Sequence, residues 1–449
     1  MSITSRTLLV AFFLCLFPLS LIAEVSITIY NQDLSMVREK RKISIPKGKD
    51  EIRFQDVPSR IIPSSVHFKC ENVILMEQNY EYDLVDFNKL LLRYIDQCIT
   101  VTTRDNRTFS GTLLSSGDGI VIANPKGEIT SLRHDWVADV SFPQLPGGLI
   151  TRPTLVWKVD SPKSGDFMTE VSYLTRGLSW QAEYIALVDE RDEALNLSAW
   201  VNITNNSGGS FTDTKVKLIA GDVSIVPETM KRHAYLRDDF AIAIAAPQFE
   251  QQAFYEYHLY TLQRTTDIAD NQIKQVSLFN PADAKKITKE YRYGPSLKPK
   301  IGHRPDKVNV TLIVENSVEN GLGMAIPKGR IRVYKEGPDG TPEFIGEDSI
   351  DHTPTNEMIY IATGSAFDIV GEKKQTYSRG NDRKWEISIR NRKQETIEIY
   401  VSESLPGGYT MVDATSGWKQ ITANIIEWKL NLKPNEEKVV FYHYIHPTR

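Results

Sequence analysis

Beyond residue 23, apolar side chains recur at every second position more often than at helical spacing, the period that sends alternate residues to opposite faces of a strand. Leu178, Trp180, Ala182 and Tyr184 alternate with Ser179, Gln181 and Glu183. Next, Leu195, Leu197, Ala199, Val201 and Ile203 take one parity, while Asn196, Ser198, Trp200, Asn202 and Thr204 take the other. NNSGGS turns the chain and FTDTKVKLIAGDV returns as a partner strand, the pattern of half an immunoglobulin-like or fibronectin-like sandwich. From Lys307 the runs KVNVTLIVEN, RIRVYKEG, EFIGEDSI, MIYIAT, WEISIRN, TIEIYVSES, IIEWKL and KVVFYHYI suit one further sandwich, with GPDG as a hairpin turn. Trp385, Ile387 and Ile389 should face in, and Glu386, Ser388 and Arg390 out. On the last run, His443 shares its parity with Val439, Phe441 and Ile445 and reads as a core histidine.

The earlier part of the chain adds one helix. Asp86 is a candidate N-cap, followed by Phe87, Leu90, Leu91, Tyr94 and Ile95 at helical spacing. Five short strands follow (CITVTTR, TFSGTLLSS, IVIAN, EITSL and WVADVSF), with Gly111 where a strongly bent strand needs a glycine. A helix and five tightly connected strands suggest an Sm-like or SH3-like small barrel. The expected fold is therefore all-β with one or two short helices, in several sandwich domains plus that insert. The divisions expected are a signal peptide at 1–23, an N-terminal β segment at 24–84, the helix and barrel at 85–142 and a central sandwich at 149–226. A linker or mobile loop at 227–253, connecting strands at 254–306 and a C-terminal sandwich at 307–449 complete it.

The leader reading rests on Arg6, the apolar run TLLVAFFLCLFPLSLIA and the small Ala23 before Glu24; an uncleaved anchor is the alternative. It places the protein outside the cytoplasm, in the periplasm, at the cell surface or beyond. Membrane association is expected only through that leader. Beyond Cys15 in the leader, two cysteines remain, and export favours a Cys70 to Cys98 disulfide over two independent thiols. Asn106, Asn196, Asn202, Asn205 and Asn309 head glycosylation sequons. With 53 basic against 57 acidic residues and a net charge of −4, the chain carries no field that would gather nucleic acid.

Chemical signatures are sparse. The sequence has no HExxH, GxSxG, phosphate loop or metal-spaced cysteine pair, so no cofactor or metal is expected. The sharpest catalytic alternative is Asp348, Asp351 and His352 in GEDSIDHTP, where a carboxylate could orient an imidazole, although adjacent residues of an extended chain face apart. Trp200, flanked by Asn196 and Asn202, is the better binding candidate. An indole can stack on the CH face of a sugar while amides hydrogen-bond its hydroxyls. An adjoining module covering the ring is the more ordinary expectation.

The blocks YLTRGLSWQAEY, VNITNNSGGSFTDTKVKLIAGDV, YEYHLYTL, FIGEDSIDHTP, GSAFDIVGEKK and NRKQETIEIYVSESLPGGY, in this order, resemble the family called domain of unknown function 4139. The resemblance implies an exported, β-rich protein. Some relatives are labelled mucoidy-inhibitor-like for a link to surface polysaccharide, and many carry a coiled-coil insertion where this chain has the barrel-like insert. It implies no activity. The expected function is thus a non-enzymatic envelope scaffold or interaction surface, with a glycan-binding module and a hydrolase as alternatives.

Overall fold

A computed structural model describes residues 24–221, 249–254, 257–295 and 304–446. The leader at 1–23 lies outside the described residues, as does the expected linker through residue 248. The described chain is nearly all β, and Phe87–Arg93 is its one α-helix. None of its helices is long and apolar enough to cross a membrane. Two compact units form. One takes in Met36–Thr175 and Ser207–Thr214 with the described residues up to Ser26; the other takes in Ile27–Ser35, Arg176–Asn206 and the described residues from Lys215 on.

In the first unit, Asp86 caps the helix as its spacing implies, accepting the Lys89 backbone N–H at 2.9 Å. Leu91 and Tyr94 are buried with Ile99, Val101, Leu113, Ile120, Ile122 and Leu132 from the sheet that follows. Phe87, in the first turn, is exposed instead and lies outside that core. The sheet order is Val137–Ser141, Cys98–Thr103, Thr108–Ser115, Gly119–Ala123, Ile129–Arg133. Its two edge strands are joined by the 3-10 turn His134–Trp136, but no ladder between them closes the sheet. The small-barrel expectation is met in strand order and not in closure. A Cβ at Gly111 would run into the Ala123 carbonyl oxygen, so only glycine allows the close crossing there.

A three-stranded sheet in the same unit centres on Thr154–Ser161, whose Trp157 packs against Phe54 and Phe68 and donates its indole N–H to Gln78. The expected disulfide is not formed. Cys70 ends a strand opposite Thr169, Cys98 opens another opposite Thr112 in a different sheet, and both thiols are free.

The second unit is built on a five-stranded central sheet in the order Gln272–Ala284, Leu195–Asn205, Leu178–Val188, Gly329–Glu336, Pro342–Ile350. Leu178–Val188 and Leu195–Asn205 pair antiparallel along their full length, and one parity of both is buried throughout. Trp180 and Tyr184 anchor that buried face. Trp180 lies 6.3 Å from the Tyr260 ring and donates to the Ile219 carbonyl, so a second layer of strands covers the face. The turn between the two strands carries Asp192, which Lys289 and Lys335 both grip. Burial pushes the Asp192 carboxyl up, but hydrogen bonds from the two ammonium groups outweigh it and hold the carboxyl below its ordinary value.

RIRVYKEG and EFIGEDSI do not join the C-terminal sandwich. Gly329–Glu336 runs parallel to Leu178–Val188 from the Ala182 to Gly329 pair onward, and the GPDG hairpin carries Pro342–Ile350 beside it. Gly329 permits this, since a Cβ there would strike the Ala182 carbonyl oxygen.

The C-terminal sandwich packs a six-stranded sheet against a four-stranded one around Trp428, Tyr442, Ile387, Ile389, Ile399 and Val401. Inside it, Glu403 accepts from Lys373 at 2.6 Å and from the Tyr442 hydroxyl at 3.0 Å. Burial and the Glu403 charge push the Tyr442 hydroxyl far above its ordinary value. Trp385, Ile387 and Ile389 face in as expected, Trp385 half-buried.

The last strand corrects the sequence reading. Val440 and Tyr442 face the core, while Val439, Phe441 and Ile445 lie on the outer parity, 52%, 41% and 43% exposed. His443 shares that outer face and is sheltered there by Asp382, which its Nε2 meets. With apolar residues on both parities, alternation alone could not say which side turns inward.

Candidate functional site

The polar parity of Leu195–Asn205 sets the candidate surface. Asn196, Ser198, Trp200, Asn202 and Thr204 all lie on the face opposite the core, each half-buried. Strand register gives each its neighbours. Trp200 stands between Glu183 and Ser277, Asn202 between Gln181 and Gln275, and Asn196 beside Asp283. Asn196 donates its amide N–H to Asp283 at 2.7 Å and is engaged within the fold. Ser277 is buried, with its hydroxyl donated to the Phe279 carbonyl.

Asn202 differs from these. Its side-chain oxygen is enclosed, yet no donor reaches it. A buried acceptor without a donor costs about 1–3 kcal/mol. The flanking Gln181 and Gln275 are exposed, which puts a row of three amides across three adjacent strands.

On the other side of Trp200 the face is ionic. Glu183 receives Arg332 at 3.1 Å and Arg330 at 3.8 Å, and Arg332 also meets Glu347 at 3.4 Å. Pairing leaves this border polar without a large net charge. The surface is a strip across paired strands with a half-buried indole, amides at one end and paired ions beside it. Such a strip can stack on a ring and hydrogen-bond its substituents.

The residues of the catalytic alternative take part in hydrogen bonds of the fold. Asp348 is buried and accepts the backbone N–H groups of Ser349 at 2.7 Å and Ala362 at 2.8 Å, so it binds strand to strand. His352 accepts the Lys328 N–H through Nδ1 at 3.0 Å, and the Asp351 carbonyl accepts the Thr353 hydroxyl at 2.9 Å. Among the described residues no group of three or more His, Cys, Asp or Glu side chains could hold a metal ion. On the strand Ser35–Ile45, Arg38, Lys40 and Lys42 pair with Glu170, Glu24 and Asp166.

Sequence alternation finds Trp200, Asn196 and Asn202 as one face. It does not find Gln275, Arg330, Arg332 and Glu347, which arrive from strands distant in the chain. For Gln181 and Glu183 the signal is present in their own polar parity.

Layered, mainly antiparallel sheets, with parallel pairings of Ala182–Val188 with Gly329–Lys335 and of Tyr291–Tyr293 with Ile399–Val401, define a multi-sheet β-sandwich protein. The family model described as Domain of unknown function (DUF4139) matches residues 169–447, and the chain belongs to that family. No protein with a curated description matches it.

Proposed function

We propose that this chain is an exported, non-enzymatic recognition protein of the cell envelope, and that the outer face of its central sheet binds polysaccharide. The observation that carries the reading is the half-buried Trp200 on an outer strand face that also presents the exposed amides Gln181 and Gln275. An indole offers a sugar ring an apolar stacking surface, and the amide row offers donors and acceptors to its hydroxyls. A strip of polar side chains running over adjacent strands suits an extended polymer lying across them, where many weak contacts add. The envelope location rests on the leader at residues 1–23.

Binding of the purified protein to a broad array of bacterial and plant polysaccharides tests the proposal. Retention of at least one polymer class is expected, with loss of binding of tenfold or more in Trp200→Ala while the unfolding midpoint stays close to the parent. Absence of binding across the array, or binding unchanged in Trp200→Ala, overturns it. For the location, cell fractionation should recover a chain beginning at Glu24 in the envelope fraction, and an intact leader in the cytosol counts against it.

A further inference from the structure

Five sequons occur in the chain, and the fold treats them unequally. Asn205 has no exposed surface and donates its side-chain nitrogen to the Ala269 carbonyl at 3.0 Å. Asn309, 6% exposed, donates the same nitrogen to the Arg304 and Lys307 carbonyls. Asn196 spends its nitrogen on Asp283, and Asn202 sits mid-strand with its oxygen enclosed. At the first three of these positions the nitrogen that would carry a sugar is already a donor inside the fold. At the fourth, the residue is half-buried mid-strand between two paired strands, with its amide oxygen enclosed.

Asn106 is the exception. It stands at the tip of the hairpin joining Cys98–Thr103 to Thr108–Ser115, in a left-handed conformation (φ 60°) that asparagine tolerates well. The tip is pinned by the main chain, with the Asn106 N–H donated to Thr103 and the Thr103 N–H to Arg107, both at 2.9 Å. Residues 104–108 are all exposed, including Thr108, the hydroxyl residue that completes the sequon. The Asn106 amide makes no hydrogen bond among the described residues, so a substituent on it displaces nothing.

We propose that Asn106 is the acceptor site for an N-linked glycan, and the one sequon of the five that the folded chain can carry modified. The donor is an oligosaccharide on a polyprenyl pyrophosphate, delivered by an oligosaccharyltransferase. The Asn106 nitrogen forms a bond to the anomeric carbon as the anomeric carbon–oxygen bond to pyrophosphate breaks. The polyprenyl pyrophosphate leaves with that electron pair, and the amide gives up one proton. The Thr108 hydroxyl supplies the sequon recognition element.

Secretion of the full chain from cultured human cells tests this, with protein from cells and medium pooled so that retained chains are also read. Treatment with peptide N-glycosidase should remove the mass of a single glycan and leave aspartate at position 106 in the peptide map. Asn106→Gln and Thr108→Ala should each abolish the shift; both changes lie on the exposed tip and leave the core untouched. An unmodified Asn106, or a glycan on Asn196, Asn202, Asn205 or Asn309, overturns the proposal.

Discussion

Leu195–Asn205 and Glu437–Ile445 are both long central strands, yet they specify their two faces in different ways. In the first, every residue of one parity is buried and all but the terminal Asn205 are apolar, while the other parity is polar apart from Trp200. In the second, Val439, Val440, Phe441, Tyr442, Tyr444 and Ile445 put apolar surface on both sides, and the side that turns inward is the one on which Val440 and Tyr442 find the core, Tyr442 against Trp428 and Glu403. The lesson concerns where information resides. A strand with a polar parity carries its own orientation, whereas one without it depends on the partners it finds.

Substitutions at adjacent positions should break this contrast most sharply in the first strand. Val201 has no exposed surface, and Val201→Asp places an unpaired charge in the core. That change should cost about 5 kcal/mol or prevent folding, read by urea denaturation and soluble yield. Trp200→Ala, one residue away on the opposite face, should cost about 1 kcal/mol or less. Similar losses at the two positions would mean that the outer face is also a packed interior.

In the second strand, Tyr442→Ala should destabilise by about 4 kcal/mol, because it opens a cavity and leaves Glu403 without its hydroxyl partner. An intermediate effect belongs to the turn beside the first strand. Asp192→Asn leaves Lys289 and Lys335 facing a neutral amide and should cost about 2 kcal/mol at neutral pH. The folded-state carboxyl is held below its ordinary value, so its stabilisation is fully present above the unfolded value of about 3.9. It is lost as pH falls through the lower folded value. The gap between parent and variant should therefore close below about pH 4 in urea titrations at stepped pH. Smallest of all, Phe441→Ser should change stability by less than about 1 kcal/mol, and a loss comparable to that of Tyr442→Ala would erase the distinction between the two parities.

Much of the architecture was legible from local signals. Asp86 announces the helix through its cap, Gly111 marks a close crossing, and the polar residues Glu386, Ser388 and Arg390 orient their strand. Partner choice was not legible. Nothing local distinguishes RIRVYKEG as a neighbour of Leu178–Val188 from a member of the later sandwich, because both positions want the same alternating strand. The candidate surface was readable to the same depth: Trp200, Asn196 and Asn202 share a face by parity, but their flanking side chains depend on register with distant strands. The cysteines show the same limit, since an even count says nothing about which sheet each thiol occupies.

The parallel alignment of Ala182–Val188 with Gly329–Lys335 also has a consequence for biosynthesis. One border of the central sheet stays open while a long stretch of later sequence is still being translated. An uncovered strand border recruits foreign chains as readily as its proper neighbour. Fragments ending before Gly329 should therefore clump, and the nascent polypeptide should depend on a holding chaperone until Ile350 has emerged from the ribosome.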